Sequence, residues 1–493
     1  MAARDDIPKL SKSRFLSGLQ CHKRLYLECF APELMPPADP FTQSVFDTGT
    51  AVGVLARGRF PRGLLVGEDH LHQEEAEATT RRALADPSLP AIYEAAFTWD
   101  AVRIRADVLV RVAEGLFDLV EVKSTTRPKL EHEWDVAVQL AVLEGSRIRI
   151  RRAELMHLDR TYVHPGGAYD LARLFARVDL TEVARALRGG VLRHLDRMRA
   201  MLRSAEPPAI EVGPHCETPY TCPFFDHCHD GLPDDPLFQL PKAGRKLRAR
   251  LAAAGIAGLD DIPLDFPGLS PHQRRALEAI RSGERFCDPA IRAVLAGVVF
   301  PVHFIDFETI TPALPLHPGT RPYDTLPVQW SDHVLREDGA LHHHEHLHEG
   351  GGDPRREFAE SLLRTLGGEG TVVVYSGYEE SRLADLAAWL PDLAGKISRV
   401  RPRLLDLLSV IRKHVYDQAF NGSFSLKSVL PALVQELGYD DLAIRDGGLA
   451  SLAYLELAAP GTTPQRRAEL RGQLLAYCRR DTEGLVRLFQ LLR

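Results

Sequence analysis

Apolar and polar residues alternate along 101–111 (AVRIRADVLVR) and again along 117–124 (FDLVEVKS), with Ala113, Glu114 and Gly115 as a turn between them, which predicts a β-hairpin. On its second strand Glu121 and Lys123 share one face while Val120 and Val122 enter the core. The period then lengthens to that of a helix at 133–143 (EWDVAVQLAVL), which carries Gln139. At 301–309 (PVHFIDFET) a nearly continuous apolar run predicts a buried strand, and Asp306 and Glu308, two apart, project from the same face. A further strand is expected at 372–375. The C-terminal QLLAYCRRDTEGLVRLF is helical in pattern and sets Tyr477 and Asp481 one turn apart on one side.

Punctuation divides the chain into three blocks. Residues 1–235 close in a Cys-bearing loop followed by GLPDDP. Residues 236–299 read as a helical connector; PKAGRKLRAR has five basic residues and no acid, and the following LAAAGIAGLDDIP predicts a helix-hairpin-helix-like DNA contact. Residues 300–493 alternate strands and helices as an α/β or α+β domain does. A length of 493 residues, 45% hydrophobic and 26% charged, is that of a globular chain with more than one domain.

Composition excludes little else. The longest uncharged apolar run, 293–302, is too short to cross a bilayer, and MAARDDIPKLSKS lacks the apolar stretch of a secretory signal, so a cytoplasmic protein without membrane partners is expected. A net charge of -6 gives no whole-chain argument for nucleic acid. Local patches do: Arg147, Arg149, Arg151 and Arg152 crowd one stretch, and Arg185, Arg188, Arg193, Arg197, Arg199 and Arg203 stud a helix.

The chemistry-bearing residues form three groups. If Asp107 comes level with Glu121, two carboxylates can hold a divalent metal beside the Lys123 ammonium, a setting for phosphodiester cleavage; a solvated Glu-Lys pair is the plain alternative. Cys216, Cys222 and Cys228, with Cys21 far upstream, suit a metal centre in a chain that shows no secreted disulfide pattern. Zinc on the trio and His215, His227 or His229 is one occupant; Cys29, Cys287 and Cys478 read as small apolar fillers. Asp306, Glu308, Tyr477 and Asp481 are the third group, and Lys427, entering a helix after NGSFS, could meet a phosphate there. The match of His344 to His348 with H-E-x-x-H is set aside, because the segment follows a turn and should be a strand, where residues four apart lie roughly 13 Å from each other.

Asp107, Glu121 and Lys123, followed by Gln139, resemble the PD-(D/E)XK nuclease superfamily of restriction-endonuclease-like fold, and specifically its RecB-type members, which carry a Gln on the next helix. VFDTGTAVGVLARGRF resembles their first helix, but the His ligand of that family falls near Gly53, which cannot ligate; this implies a looser metal site, compensation by a nearby acid such as Glu94, or a domain that binds without cutting, with weak or altered catalysis expected rather than none. One early Cys with a late trio resembles the RecB-type iron-sulfur nucleases and implies a 4Fe-4S cluster on Cys21, Cys216, Cys222 and Cys228 that staples the block's two ends. D-x-E on a strand with Y-x-x-x-D on a terminal helix resembles the DEDDy exonucleases, whose fold is RNase H-like and whose acids bind Mg2+ or Mn2+ while the Tyr positions water. Glu380 is assigned as the remaining acid, beside Glu379, with Asp406 in support. LSKSRFLSGLQCHKRLYLE, GPHCETPYTCPFFDHC, HFIDFET and the SLKSVLPAL to YCRRD tail together resemble a bacterial family that fuses the two nuclease types, the second as a domain of unknown function. That resemblance implies a metal-dependent nuclease acting on nucleic-acid ends, DNA favoured over RNA, in DNA processing or repair; the alternative is a nucleic-acid-binding scaffold.

Overall fold

The alternation at 101–124 is realised as a hairpin in the computed structural model, which describes residues 7–69, 71–230 and 236–493. Residues 1–6, and 231–235 where the first block boundary was placed, lie outside the described residues. The chain divides into two compact units, Met1–Leu232 with Pro312–Asp324, and Pro233–Thr311 with Thr325–Arg493.

The first unit opens with helices α1 (Lys12–Gln20), α2 (His22–Phe30) and α3 (Pro40–Arg57). Strands β1 (Ala91–Trp99), β2 (Val102–Ala113) and β3 (Leu116–Lys123) form an antiparallel meander. Gly115, at φ +63°, takes the left-handed turn position that a side chain would strain. Helix α4 (Leu130–Gly145) then crosses to β4 (Arg149–Leu158), which runs parallel to β3, and β5 (Phe175–Asp179) closes the edge antiparallel. Val136 to Leu143 of α4 are buried without interruption because the helix lies inside the core it shares with Leu119, Leu155 and α5 (Thr181–Leu202). The Arg-rich face of α5 is partly engaged: Arg188 lies 3.7 Å from Glu144 and Arg199 2.9 Å from Asp100. Arg151 likewise pairs with Asp118 at 2.6 Å.

In the second unit the sheet order is β8 (Leu341–Leu347), β7 (Leu326–Leu335), β6 (Val302–Ile310), β9 (Thr371–Val374), β10 (Leu404–Asp406). The first three are antiparallel; β9 is parallel to both β6 and β10. Alternation along β6 sorts its residues into two cores: Ile305 and Phe307 pack with α6 (Pro354–Leu366) and α7 (Tyr378–Trp389), while Phe304 and Ile310 pack with α8 (Leu426–Leu433), α9 (Gly447–Ala458) and α10 (Pro464–Leu492). Asp306 and Glu308 therefore face α10. The His-rich segment is a strand, so its H-E-x-x-H match has no helix to act from.

Residues 236–299 do not stand apart. Leu240, Leu251, Ile262 and Leu277 are buried in the core that holds Phe304 and Leu485. The expected tight helix, turn, helix is not formed: helix Arg245–Ala253 ends at Gly255, and Pro263 and Pro267 keep the chain irregular until Pro271–Ser282. The protein is a mixed α/β chain of two units, and among the described residues no helix is long and apolar enough to cross a membrane.

Candidate functional site

Glu121 and Lys123 leave β3 on one face as alternation requires, with Lys123 Nζ donating to Glu121 Oε1 at 2.7 Å. Helix α4 carries Gln139 to the same place, where its Nε2 donates to Glu121 Oε2 at 2.7 Å. Asp135, one turn earlier, accepts from Lys123 at 2.6 Å and from Gln139 at 3.0 Å. From the other end of the sequence Lys12, the first residue of α1, donates to Glu121 Oε1 at 2.8 Å and lies 3.5 Å from Asp135 Oδ1. Asp107 Oδ2 accepts the Val122 backbone N–H at 2.7 Å.

Charge in this site is nearly balanced. Burial opposes ionisation of Glu121, yet Lys12 and Lys123 hold it below the usual carboxylate range. Burial and then the Glu121 charge push Asp107 up to about 7. Every oxygen of Glu121 and Asp135 already lies against an ammonium or the Gln139 amide. Among the described residues no three His, Cys, Asp or Glu of this site bring ligand atoms within 4.8 Å of one another. As arranged, these residues do not fit a divalent metal. A Cβ at Gly53 would meet nothing within 4 Å, and Glu94 is engaged by Arg57 at 3.0 Å, so neither completes a ligand set.

The four cysteines converge. Cys21, between α1 and α2, lines one cavity with Cys216, Cys222 and Cys228. Gln20 fixes the facing loop by donating to the carbonyls of His215 and Tyr220 at 2.8 and 2.7 Å, and the Cys222 N–H donates to Cys216 O at 2.7 Å. Burial pushes the Cys222 and Cys228 thiols up, with neighbouring thiols adding to it. Among the described residues no three thiols come within 4.8 Å of one another, whereas tetrahedral zinc with Zn–S of about 2.3 Å needs sulfurs about 4 Å apart. Thiols spread around a cavity fit a polynuclear cluster better than a single ion.

The second unit's acids are arranged in the opposite way. Asp306 and Glu308 on β6 and Cys478 on α10 bring one ligand atom each within 4.8 Å of one another. Cys478 Sγ donates to the Asp306 carbonyl and to Oδ2 at 3.6 Å each, so this buried thiol is part of the site and not a filler; Cys287 is exposed and is no filler either. Asp481, one turn further along α10, accepts the Tyr439 hydroxyl, and Tyr477 lies alongside. Lys427 Nζ caps both rings, 5.1 Å from Tyr477 and 5.7 Å from Tyr439. Glu379, 3% exposed at the start of α7, has one carboxylate oxygen with no hydrogen-bond partner. Glu380 is not in the site: adjacent residues of a helix point about 100° apart, and Glu380 is exposed and pairs with Arg401 at 2.7 Å. Asp406 caps the helix Leu407–His414 through Ser409 and acts on Glu379 by charge.

These acids repel one another with little counter-charge. Burial, then Asp481, pushes Glu308 up to about 8; burial, then Asp406 and Asp481, pushes Glu379 to about 7. Burial raises Asp481 only to about 6, because the Tyr439 hydroxyl, Lys427 and Tyr477 pull the other way. Asp306 is raised well above the ordinary carboxylate range, by burial and then the Asp481 and Glu308 charges. A cation would relieve all four, and the unpartnered Glu379 oxygen offers it a further donor, so this set does fit a divalent metal.

A family description matches this region. It reads "Domain of unknown function (DUF2779)" and covers residues 303–425. The match takes in Asp306, Glu308 and Glu379 and ends before Tyr439, Tyr477, Cys478 and Asp481. No curated protein matches the chain.

Five site residues escaped sequence reasoning. Asp135 precedes Gln139 by one helical turn and Glu379 adjoins Glu380, so both lie within reach of pattern. Lys12 lies in the LSKSRF opening and Cys478 inside Y-x-x-x-D, but neither carried a mark of its role. Tyr439 sits in an irregular stretch without any periodic signal.

Proposed function

We propose that this protein is a metal-dependent nuclease acting on nucleic-acid ends, DNA favoured, with its hydrolytic centre in the second unit. The observation that carries the reading is the approach of Asp306, Glu308 and Cys478 to one another, with the Glu379 and Asp481 carboxylates acting on both acids by charge and Lys427 offsetting only part of the excess. A DEDDy-type, RNase H-like arrangement is supported by the D-x-E pair on the central strand, parallel strands on one side of it, antiparallel on the other, and Tyr477 and Asp481 on the terminal helix. Asp306, Glu308, Glu379 and Asp481 would hold Mg2+ or Mn2+. When bound, such ions activate water and stabilise charge at the phosphoryl group.

The chain's own residues do the rest. Burial and the Asp481 and Glu308 charges raise the Tyr477 phenol above its ordinary value, so it keeps its proton and donates a hydrogen bond to the attacking water. Tyr439 fixes the Asp481 carboxylate. Lys427 supplies a positive charge at the rim, where a phosphate of the strand would rest. A 3' to 5' direction follows from the resemblance to the DEDDy exonucleases.

In this reading the first unit binds rather than cuts. Helix α3, the β1 to β3 meander, crossover α4 and parallel β4 support a RecB-like PD-(D/E)XK architecture whose acids are already neutralised. Cys21, Cys216, Cys222 and Cys228 would hold a 4Fe-4S cluster that staples the unit's two ends. The test is digestion of 5'- and 3'-labelled single- and double-stranded DNA and RNA by anaerobically purified protein with Mn2+ or Mg2+. Asp306→Asn should abolish cleavage while Lys123→Ala weakens it through binding. Cleavage that survives Asp306→Asn and disappears with Lys123→Ala would move the centre to the first unit.

A further inference from the structure

The two acid groups differ in one respect that the placement of Lys12 explains. Lys12 is the first residue of α1, where the positive end of the helix dipole disfavours a cation. Its position therefore answers to something other than helix preference. The backbone around it is fixed: Leu10 and Ser11 pair with Val102 and Arg103, the Leu10 N–H donates to Ala101 O at 3.1 Å, and Ser11 caps α1 through the Arg14 N–H. So anchored, the side chain reaches inward to Glu121 Oε1 at 2.8 Å and Asp135 Oδ1 at 3.5 Å. Lys123 meets the same Glu121 oxygen at 2.7 Å and the other Asp135 oxygen at 2.6 Å. One lysine would leave these two buried carboxylates with a net negative charge; two leave none.

We infer that Lys12 is an internal counter-ion that keeps a divalent cation out of the first unit's acid pair, so that removing its ammonium creates a metal site at Glu121 and Asp135. The ammonium touches the oxygens an ion would need, is attached to the chain, and has no translational freedom left to lose. In the second unit Lys427 lies over the Tyr477 and Tyr439 rings and acts on Glu308 and Asp481 by charge, Glu379 keeps an unpartnered oxygen, and Asp306 and Glu308 lie close enough to share an ion. Lys12 is thus a specificity residue acting on cation occupancy, and the inference holds whether or not the second unit cuts nucleic acid.

Mn2+ binding to the full chain, read from the loss of the free-ion paramagnetic signal, tests it, with Asp306→Asn in every sample to silence the second unit. Lys12→Met, neutral and of similar length, should bind one additional Mn2+ at least about tenfold more tightly than the parent, the equivalent of about 1.4 kcal/mol. Adding Glu121→Gln should remove that gain. Equal Glu121-dependent affinity in both chains would overturn the inference while leaving a metal reading of the site intact; no Glu121-dependent binding in either would overturn both. If Lys12→Met does not fold, Lys12 acetylation in the parent chain decides. Mn2+ held at Glu121 with Lys12 still protected refutes exclusion, whereas Lys12 that becomes reactive in step with Mn2+ binding supports it.

Discussion

Glu308 gives the sharpest quantitative test of the second unit's electrostatics. Its carboxyl, ordinarily at 4.5, is pushed to about 8 by burial and then by the Asp481 charge. Between those values the folded chain keeps a proton that the unfolded chain has released, so metal-free stability is full below pH 4.5 and falls as pH rises toward 8. At about 1.4 kcal/mol per pH unit the loss reaches about 5 kcal/mol, an upper bound because local relaxation admits water to the ionised group. For a unit of this size, about 2–4 °C per kcal/mol, that is a fall of at most roughly 10–20 °C. Thermal unfolding in a chelator, followed by near-ultraviolet circular dichroism at several pH values from 5 to 8.5, should show the fall. Glu308→Gln, which carries no titrating proton, should flatten the profile. Mn2+ at about a hundred times its Kd should restore about 2.7 kcal/mol at pH 8. A metal-free profile that is level or rises with pH, parallel in wild type and Glu308→Gln, would refute the reasoning.

Glu379→Gln should lower metal-dependent cleavage by about 100-fold or more, whereas Glu380→Gln, which breaks only a surface pair with Arg401, should change the rate less than about twofold. Tyr439→Phe should leave the buried Asp481 oxygen without its donor and cost about 1–3 kcal/mol, measured by denaturant unfolding. Lys427→Ala should weaken DNA binding and lower the slope of log affinity against log salt by about one. Anaerobically purified Cys222→Ser should lose the visible absorption of an iron-sulfur cluster, and Cys287→Ser should retain it.

What the sequence disclosed follows the range of the forces involved. Period-two alternation is local, so it placed Glu121 beside Lys123 and Asp306 beside Glu308; the helical period did the same for Tyr477 and Asp481. It could not choose between Glu379 and Glu380, because where α7 begins decides which of two neighbours turns inward, and its N-cap, Gly377, makes no side-chain capping bond that would mark the start. Lys12 meets Glu121 across 109 positions, a pairing no local pattern encodes. Residues 236–299 read as a separate connector because their turns are frequent, yet their buried side chains, Leu240, Leu251, Ile262 and Leu277 among them, belong to one core with Phe304 and Leu485 of the second unit. Pro312–Asp324 belongs to the first unit although the strands on either side of it belong to the second, a topological fact that punctuation does not carry.

Helix α1 has Lys12 at its beginning and Cys21 as its last cap, so the acid pair and the thiol cavity are the two ends of one nine-residue rod. An α-helix rises about 1.5 Å per residue and hardly stretches, which sets the rod's length at about 13 Å. Neither end is repositioned by itself: a displacement of Cys21 along the axis is delivered to the Lys12 backbone, and only the lysine's side chain is left to keep the ammonium on Glu121.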